Sequence, residues 1–244
     1  MAATRRANGR YPLIGWSAAA VGWIALGLAC GSSTEPSAEL APDRAEPRAA
    51  PVVLFLGDSL TAGYGLPAEE AFPALIQERI DAAGLDFHVV NAGVSGDTSA
   101  GGRRRIEWLL RQPLAVLVLA LGGNDMLRGL ELDALRENLS AIITAARAAH
   151  DDLDVVVVGM RAPRNLGRQY GAAFDAVFPD VAQQNRAALI PFLLEGVAND
   201  PSLNQADGIH PTAAGHRIIA DNVWSTLESI LRGRASDRPA DGRT

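Results

Sequence analysis

The chain has 244 residues, 48% hydrophobic and 20% charged, which fits one mid-sized domain with tails and suffices to bury a core unaided. All 22 basic residues are arginine, so a lysine nucleophile, a Schiff base, a Ser-Lys dyad and a phosphate-loop lysine are excluded. A formal charge of −6 with mostly scattered arginines gives no nucleic-acid footprint, and one cysteine, Cys30, excludes an internal disulfide and a multi-cysteine metal site.

Arg5, Arg6 and Arg10 precede an apolar run over 13–29 that is rich in alanine and glycine and short for a bilayer span. A positive start, an apolar middle and small residues at the end describe a secretory leader over 1–30. Gly27-Leu28-Ala29-Cys30-Gly31 resembles a bacterial lipoprotein cleavage box, in which Cys30 is lipidated; an ordinary signal peptide or a short uncleaved anchor is the other reading. The first reading predicts an exported chain in the periplasm or cell envelope, touching a membrane only through its anchor. Residues 31–50 are rich in Ser, Pro, Ala, Glu and Arg without apolar periodicity, and read as a disordered tether.

From 51 onward, strand and helix patterns alternate. Residues 52–56 form a short apolar run of the kind buried parallel strands show. A helix follows over 71–83, with Phe72, Leu75, Ile76 and Ile80 on one face. A strand over 87–90 and a helix over 102–111 come next; Arg103-Arg104-Arg105 reads as a solvated face of that helix. The most apolar strand, 114–121, is expected at the centre. Leu132, Leu135, Leu139, Ile142, Ile143 and Ala146 mark an amphipathic helix, and four valines over 155–158 a fourth strand. A helix over 170–186 and a short strand over 189–192 follow. Thr212 caps a last helix through Leu231, and 233–244 reads as a frayed tail. This order predicts an α/β domain over 51–232: a three-layer α/β/α sandwich on a parallel, five-stranded, flavodoxin-like sheet. Ligands of such sheets bind outside the carboxyl ends of the strands.

Four segments fall at that edge. Gly57-Asp58-Ser59-Leu60 puts a serine in a tight turn after the first strand. Asn91-Ala92-Gly93-Val94-Ser95-Gly96-Asp97 follows the second strand, where glycine lets backbone approach a ligand. Gly122-Gly123-Asn124-Asp125 follows the central strand; Asn124 offers a neutral amide donor and Asp125 reads as a cap. Asp207-Gly208-Ile209-His210-Pro211 sets a carboxylate three residues before an imidazole. Of the four histidines, His210 alone has that setting; His88, His150 and His216 read as strand, helix-end and last-helix residues. Each segment alone reads as an ordinary turn. Together they supply a nucleophile, a base, an orienting carboxylate and oxyanion donors, the parts of acyl transfer.

The four blocks over 52–231 resemble those of the GDSL, or SGNH, hydrolase superfamily, and within it the bacterial thioesterase I / lysophospholipase L1 / arylesterase group. GDSLTAGYGL (57–66), SGDTSAGG (95–102), ALGGNDMLRG (120–129) and RAPRNLGRQY (161–170) carry the likeness. The resemblance implies Ser59 as nucleophile, His210 as base and Asp207 as its orienter. It implies oxyanion donors from the Ser59 and Gly93 backbone N–H groups and the Asn124 side chain. The expected partner is a small acyl ester or thioester, lipids included, and the chemistry needs no cofactor or metal. Met126, Leu127, Leu130 and Leu166 are the candidates for an acyl groove; ordinary loop packing explains them equally well.

Three rival readings differ in kind. Gly63-Tyr64-Gly65-Leu66-Pro67-Ala68 matches a dinucleotide fingerprint formally but starts well past the first strand. A non-catalytic flavodoxin-like binding protein leaves Asp207, His210 and Asn124 without a purpose. A carbohydrate acetylesterase of the same superfamily uses the same machinery and differs only in its pocket.

Overall fold

A computed structural model describes residues 50–237. The leader, Cys30, almost all of the tether and residues 238–244 lie outside the described residues. Five parallel strands form one sheet: β1 (Val52–Gly57), β2 (His88–Gly93), β3 (Leu114–Ala120), β4 (Asp154–Val158) and β5 (Ala188–Ile190), in the order β2-β1-β3-β4-β5. The helices are α1 (Ser59–Ala62), α2 (Phe72–Ala82), α3 (Ser99–Leu109), α4 (Gly123–Leu127), α5 (Leu132–Ala149), α6 (Arg168–Gln184) and α7 (Ala213–Asp237).

The layers follow from the period-2 alternation of strand side chains. Leu54, Leu56, Leu117, Leu119, Val155 and Val157 point to one face and meet α3, α5 and α6 through Ile106, Leu139, Ile142, Phe174 and Phe178. Val53, Phe55, Val116, Val118, Val156 and Val158 point to the other and meet α2 and α7 through Phe72, Ile76, Ile80, Ile219, Val223 and Leu227. Every residue of β1 and β3 is buried, as strands covered on both faces must be, and β3 is central. The edge strand β2 is half-exposed. The chain passes from β1 outward to β2 and then back across to β3. The topological switch point therefore lies between β1 and β3.

Three boundaries differ from the expected ones for local reasons. The α3 helix starts at Ser99, not 102, because the Thr98 hydroxyl caps it by accepting from the Gly101 N–H at 3.2 Å. The β5 strand stops at Ile190, since Pro191 has no N–H to continue the ladder. The last helix does not end at Leu231 but runs on to Asp237, through Gly233. Arg234 holds that end down, donating to Asp154 Oδ2 at 2.9 Å and to the Asp152 carbonyl at 2.7 Å. Two short helices, α1 and α4, carry no periodic signal in the sequence. They have four and five residues, too few to show a period, and they follow the two strands that flank the switch point.

Candidate active site

Ser59 is the first residue of α1, reached directly from the buried end of β1. Asp58 caps that helix, accepting from the Leu60 N–H at 3.0 Å. The chain must turn sharply out of the sheet here, and Gly57 allows it: a Cβ there would lie 1.9 Å from Thr61 Oγ1. The Ser59 hydroxyl lies 3.0 Å from Nε2 of His210, which is 151 residues away in the chain.

The turn before α7 carries His210. Its Nδ1 lies 2.7 Å from Asp207 Oδ2. The other oxygen of Asp207 accepts from the backbone N–H groups of Ile209 and His210, at 2.9 and 3.0 Å. These bonds, with the imidazole's the strongest, hold the Asp207 carboxyl well below the usual carboxylate range, so it stays ionised. Gln205 ties the turn to the rest of the edge: its N–H donates to the His210 carbonyl at 2.7 Å, and its amide donates to the Tyr64 and Pro211 carbonyls. The Tyr64 ring covers the imidazole, with centroids 4.4 Å apart. The structure thus brings Ser59, His210 and Asp207 into one hydrogen-bonded line.

Asn124, on α4, comes to the same edge from the far side of the switch point. Its amide donates to Asp58 Oδ2 at 3.2 Å. Asp58 is 5% exposed, and burial pushes its carboxyl up to about 6 against the bonds from Leu60 and Asn124. Asp125 does not cap its own turn. It is buried and accepts from the N–H and hydroxyl of Ser99, joining α4 to the start of α3.

Gly93 requires a correction. Its N–H is not free to meet a substrate oxygen but donates to Asn91 Oδ1 at 2.9 Å. A Cβ at Gly93 would lie 2.2 Å from the Ala62 nitrogen, so this glycine lets α1 pack against β2. Gly96, three residues on, has φ +79° and an N–H that makes no main-chain hydrogen bond among the described residues; its carbonyl accepts from Arg128 at 2.7 Å. Gly96 stands in the same loop as Gly93, within Ser95-Gly96-Asp97, and nothing in the residue order distinguishes the two glycines.

The arginine cluster also differs from expectation. Arg103 and Arg104 are exposed, but Arg105 turns inward and binds the ends of two strands. The four groove candidates separate as well. Met126 is buried in the core, whereas Leu127, Leu130 and Leu166 are exposed. A cavity of about 750 Å³ is at the opposite end of the sheet, lined by Pro51, Phe87, Leu114, Asp152, Ile230 and Arg234 among others. The remaining histidines lie elsewhere. His88 is exposed on β2, the His150 ring meets the Leu110 carbonyl, and His216 is buried with Nδ1 accepting from the Phe72 N–H.

Residues 55–218 match the pattern of the GDSL-like lipase/acylhydrolase family. The chain belongs to this family. As a GDSL hydrolase it is an enzyme of ester-bond chemistry. It is 44% identical over 184 residues to esterase TesA of Pseudomonas aeruginosa, covering 75% of this chain and 90% of that one. It is 40% identical over 185 residues to the thioesterase 1/protease 1/lysophospholipase L1 of Escherichia coli K12, covering 75% and 86%. A crystal structure of TesA superposes on this GDSL hydrolase with a TM-score of 0.71 at 43% identity, over 73% of this chain and 99% of the other.

Proposed function

We propose that this GDSL hydrolase cleaves carboxylic esters and thioesters through a Ser59-His210-Asp207 triad. The observation that carries the reading is the line of contacts from Ser59 Oγ to Nε2 at 3.0 Å and from Nδ1 to Asp207 at 2.7 Å. His210 takes the Ser59 proton as the hydroxyl attacks the acyl carbon. Asp207 fixes the tautomer that leaves Nε2 as acceptor and stabilises the imidazolium. The imidazolium then protonates the leaving alcohol or thiol. Water repeats the sequence on the acyl-enzyme.

The oxyanion meets the Ser59 N–H, one of the unpaired donors of a first helical turn. It also meets the Asn124 amide, whose second N–H is left over once Asp58 has taken the first. The third donor in this reading is the Gly96 N–H, in place of Gly93. Aryl esters, lysophospholipids and acyl-CoA are the proposed substrates, in keeping with the names of the relatives. Leu127, Leu130 and Leu166 offer the acyl chain exposed apolar contact on this edge. Export by the leader, and lipidation at Cys30, belong to the same proposal. Incorporation of labelled palmitate, lost in Cys30→Ser, tests the anchor; no incorporation in the parent chain refutes it.

Ser59→Ala tests the triad. The variant is expected to fold, to lose nearly all p-nitrophenyl ester turnover, and to escape labelling by a fluorophosphonate. Wild-type turnover in that variant would remove the reading. A chain-length series of p-nitrophenyl esters tests the groove: activity should rise with acyl length, and a flat response from acetyl to dodecanoyl counts against it.

A further inference from the structure

Arg105 makes three close contacts with its guanidinium. Nε donates to Asp97 Oδ2 at 2.7 Å, Nη1 to the Ala92 carbonyl at 2.7 Å and Nη2 to the Gly57 carbonyl at 2.9 Å. The Gly57 carbonyl is the last of β1 and the Ala92 carbonyl the last but one of β2. Gly57 stands two residues before Ser59, and Asp97 directly follows Gly96. One planar group therefore spans both turns that carry the proposed backbone oxyanion donors.

The surroundings favour this placement. The Gly57 carbonyl also accepts from the Val94 N–H at 3.0 Å, so the β1 turn and the 94–97 loop meet at one atom. Asp97 also binds the Thr98 N–H. Its side chain fits only because residue 101 is glycine, where a Cβ would lie 1.6 Å from Oδ1. The side chains of Arg105 and Asp97 are 23% and 12% exposed, so the pair is largely withdrawn from water and its geometry is fixed. A main-chain carbonyl keeps a second lone pair beyond its ladder bond, and a guanidinium can meet two such carbonyls and a carboxylate at once.

We propose that Arg105 is a positioning residue for catalysis: by tying the ends of β1 and β2 to Asp97, it holds the Ser59 and Gly96 N–H groups at the spacing an oxyanion requires. The inference rests on the triad reading above. It goes further in assigning a function to a side chain that touches neither substrate nor triad. A misplacement of donors by about 1 Å costs about 10²-fold in rate. Loosening the clamp should act on the transition state and leave ground-state binding nearly unchanged.

The test uses the full chain with Arg105→Ala, Arg105→Lys and Asp97→Asn. Arg105→Ala should lower kcat by about 10²-fold, with KM within about threefold of wild type. A trifluoromethyl ketone, which forms a tetrahedral adduct on serine, should lose affinity by the same factor as kcat/KM. Ethylguanidinium in solution should restore part of kcat and leave KM alone, which a merely structural arginine would not show. Arg105→Lys keeps the charge but not the three-way fork, so it serves if the alanine variant does not fold; it should show a smaller loss in the same constants. Asp97→Asn should shift kcat in the same direction. Wild-type kcat and ketone affinity in folded Arg105→Lys and Arg105→Ala would overturn the proposal, as would a loss confined to KM. If Ser59→Ala is inactive and these variants are unimpaired, the clamp alone is wrong. If Ser59→Ala is active, the triad reading falls first.

Discussion

The Asp58 carboxylate is buried directly behind the Asn124 amide, with Nδ2 donating to Oδ2 at 3.2 Å. The residue before the proposed nucleophile therefore aims the side chain that faces it across the switch point. This arrangement has a stability cost with a definite pH dependence. Burial raises the Asp58 carboxyl from 3.8 to about 6, so the native state holds this proton more tightly than the unfolded chain. Stability then falls as pH rises from about 4 to about 6 and is level above that. The difference of 6 − 3.8 = 2.2 pH units amounts to about 3 kcal/mol, at about 1.4 kcal/mol per pH unit. Asp58→Asn lacks the charge. The gap in urea midpoint between variant and parent should move in the variant's favour between pH 4 and 6 and then hold constant. A gap independent of pH would show that the carboxyl titrates normally.

His216 produces the opposite slope. Burial, and then the charge of His210, push its imidazole from 6.5 down to about 4, and Nδ1 serves as acceptor for the Phe72 N–H. Here the unfolded chain binds the proton more tightly. Stability is fully present above about 6.5 and is lost as pH falls toward 4. The two buried groups thus oppose each other over nearly the same window. The parent should show little pH dependence of stability between 4 and 6. Asp58→Asn should uncover a decline on acidification, and His216→Gln, which keeps an acceptor near Phe72, should show a gain. Denaturant melts at pH 4, 5, 6 and 7 check this; parallel curves for all three proteins contradict it.

Asn124 and Gly93 stood together as oxyanion donors in the sequence, and the structure separates them. Asn124→Ala should lower kcat by about 10²–10³-fold, the usual worth of one such donor, with little change in Tm. Gly93→Ala should act through the fold. Its Cβ would meet the Ala62 nitrogen at 2.2 Å, and such overpacking typically costs about 1–3 kcal/mol. Thermal melts beside steady-state kinetics distinguish the two. A Gly93→Ala variant with unchanged Tm and a large loss of kcat would return Gly93 to the oxyanion site.

The contrast marks how far the sequence reaches. Ser59, Asn124, Asp207 and His210 were legible because each is a reactive side chain placed by a strand end or a Gly/Pro-bounded turn. The strands were legible because apolar runs such as 155–158 need no partner to declare themselves. Gly93 and Gly96 were not separable, since the direction of a backbone N–H depends on φ and on what the neighbouring side chain does. Asn91 claims one of the two N–H groups, and nothing in a linear string says so. Arg105 looked like its neighbours Arg103 and Arg104 because helical phase alone does not reveal two strand ends waiting beneath one of three consecutive arginines. Met126 and Leu127 share a character but not a side of α4.

Tyr64 covers the His210 imidazole at a centroid distance of 4.4 Å and an interplanar angle of 37°, while being 51% exposed itself. Its backbone carbonyl is tied through Gln205 to the turn that carries the histidine. The ring therefore restricts the imidazole on one side, and Asp207 restricts it from behind. An aromatic contact of this kind is worth about 0.5–1.5 kcal/mol. If that energy holds the imidazole in line with Ser59, Tyr64→Ala should lower kcat by about 2- to 10-fold. Tyr64→Phe should keep nearly full activity, because the ring makes the contact. Steady-state kinetics on one p-nitrophenyl ester, with melts as a control on folding, decide the matter. An alanine variant as active as the parent would make the ring irrelevant. A phenylalanine variant as impaired as alanine would move the effect to the hydroxyl.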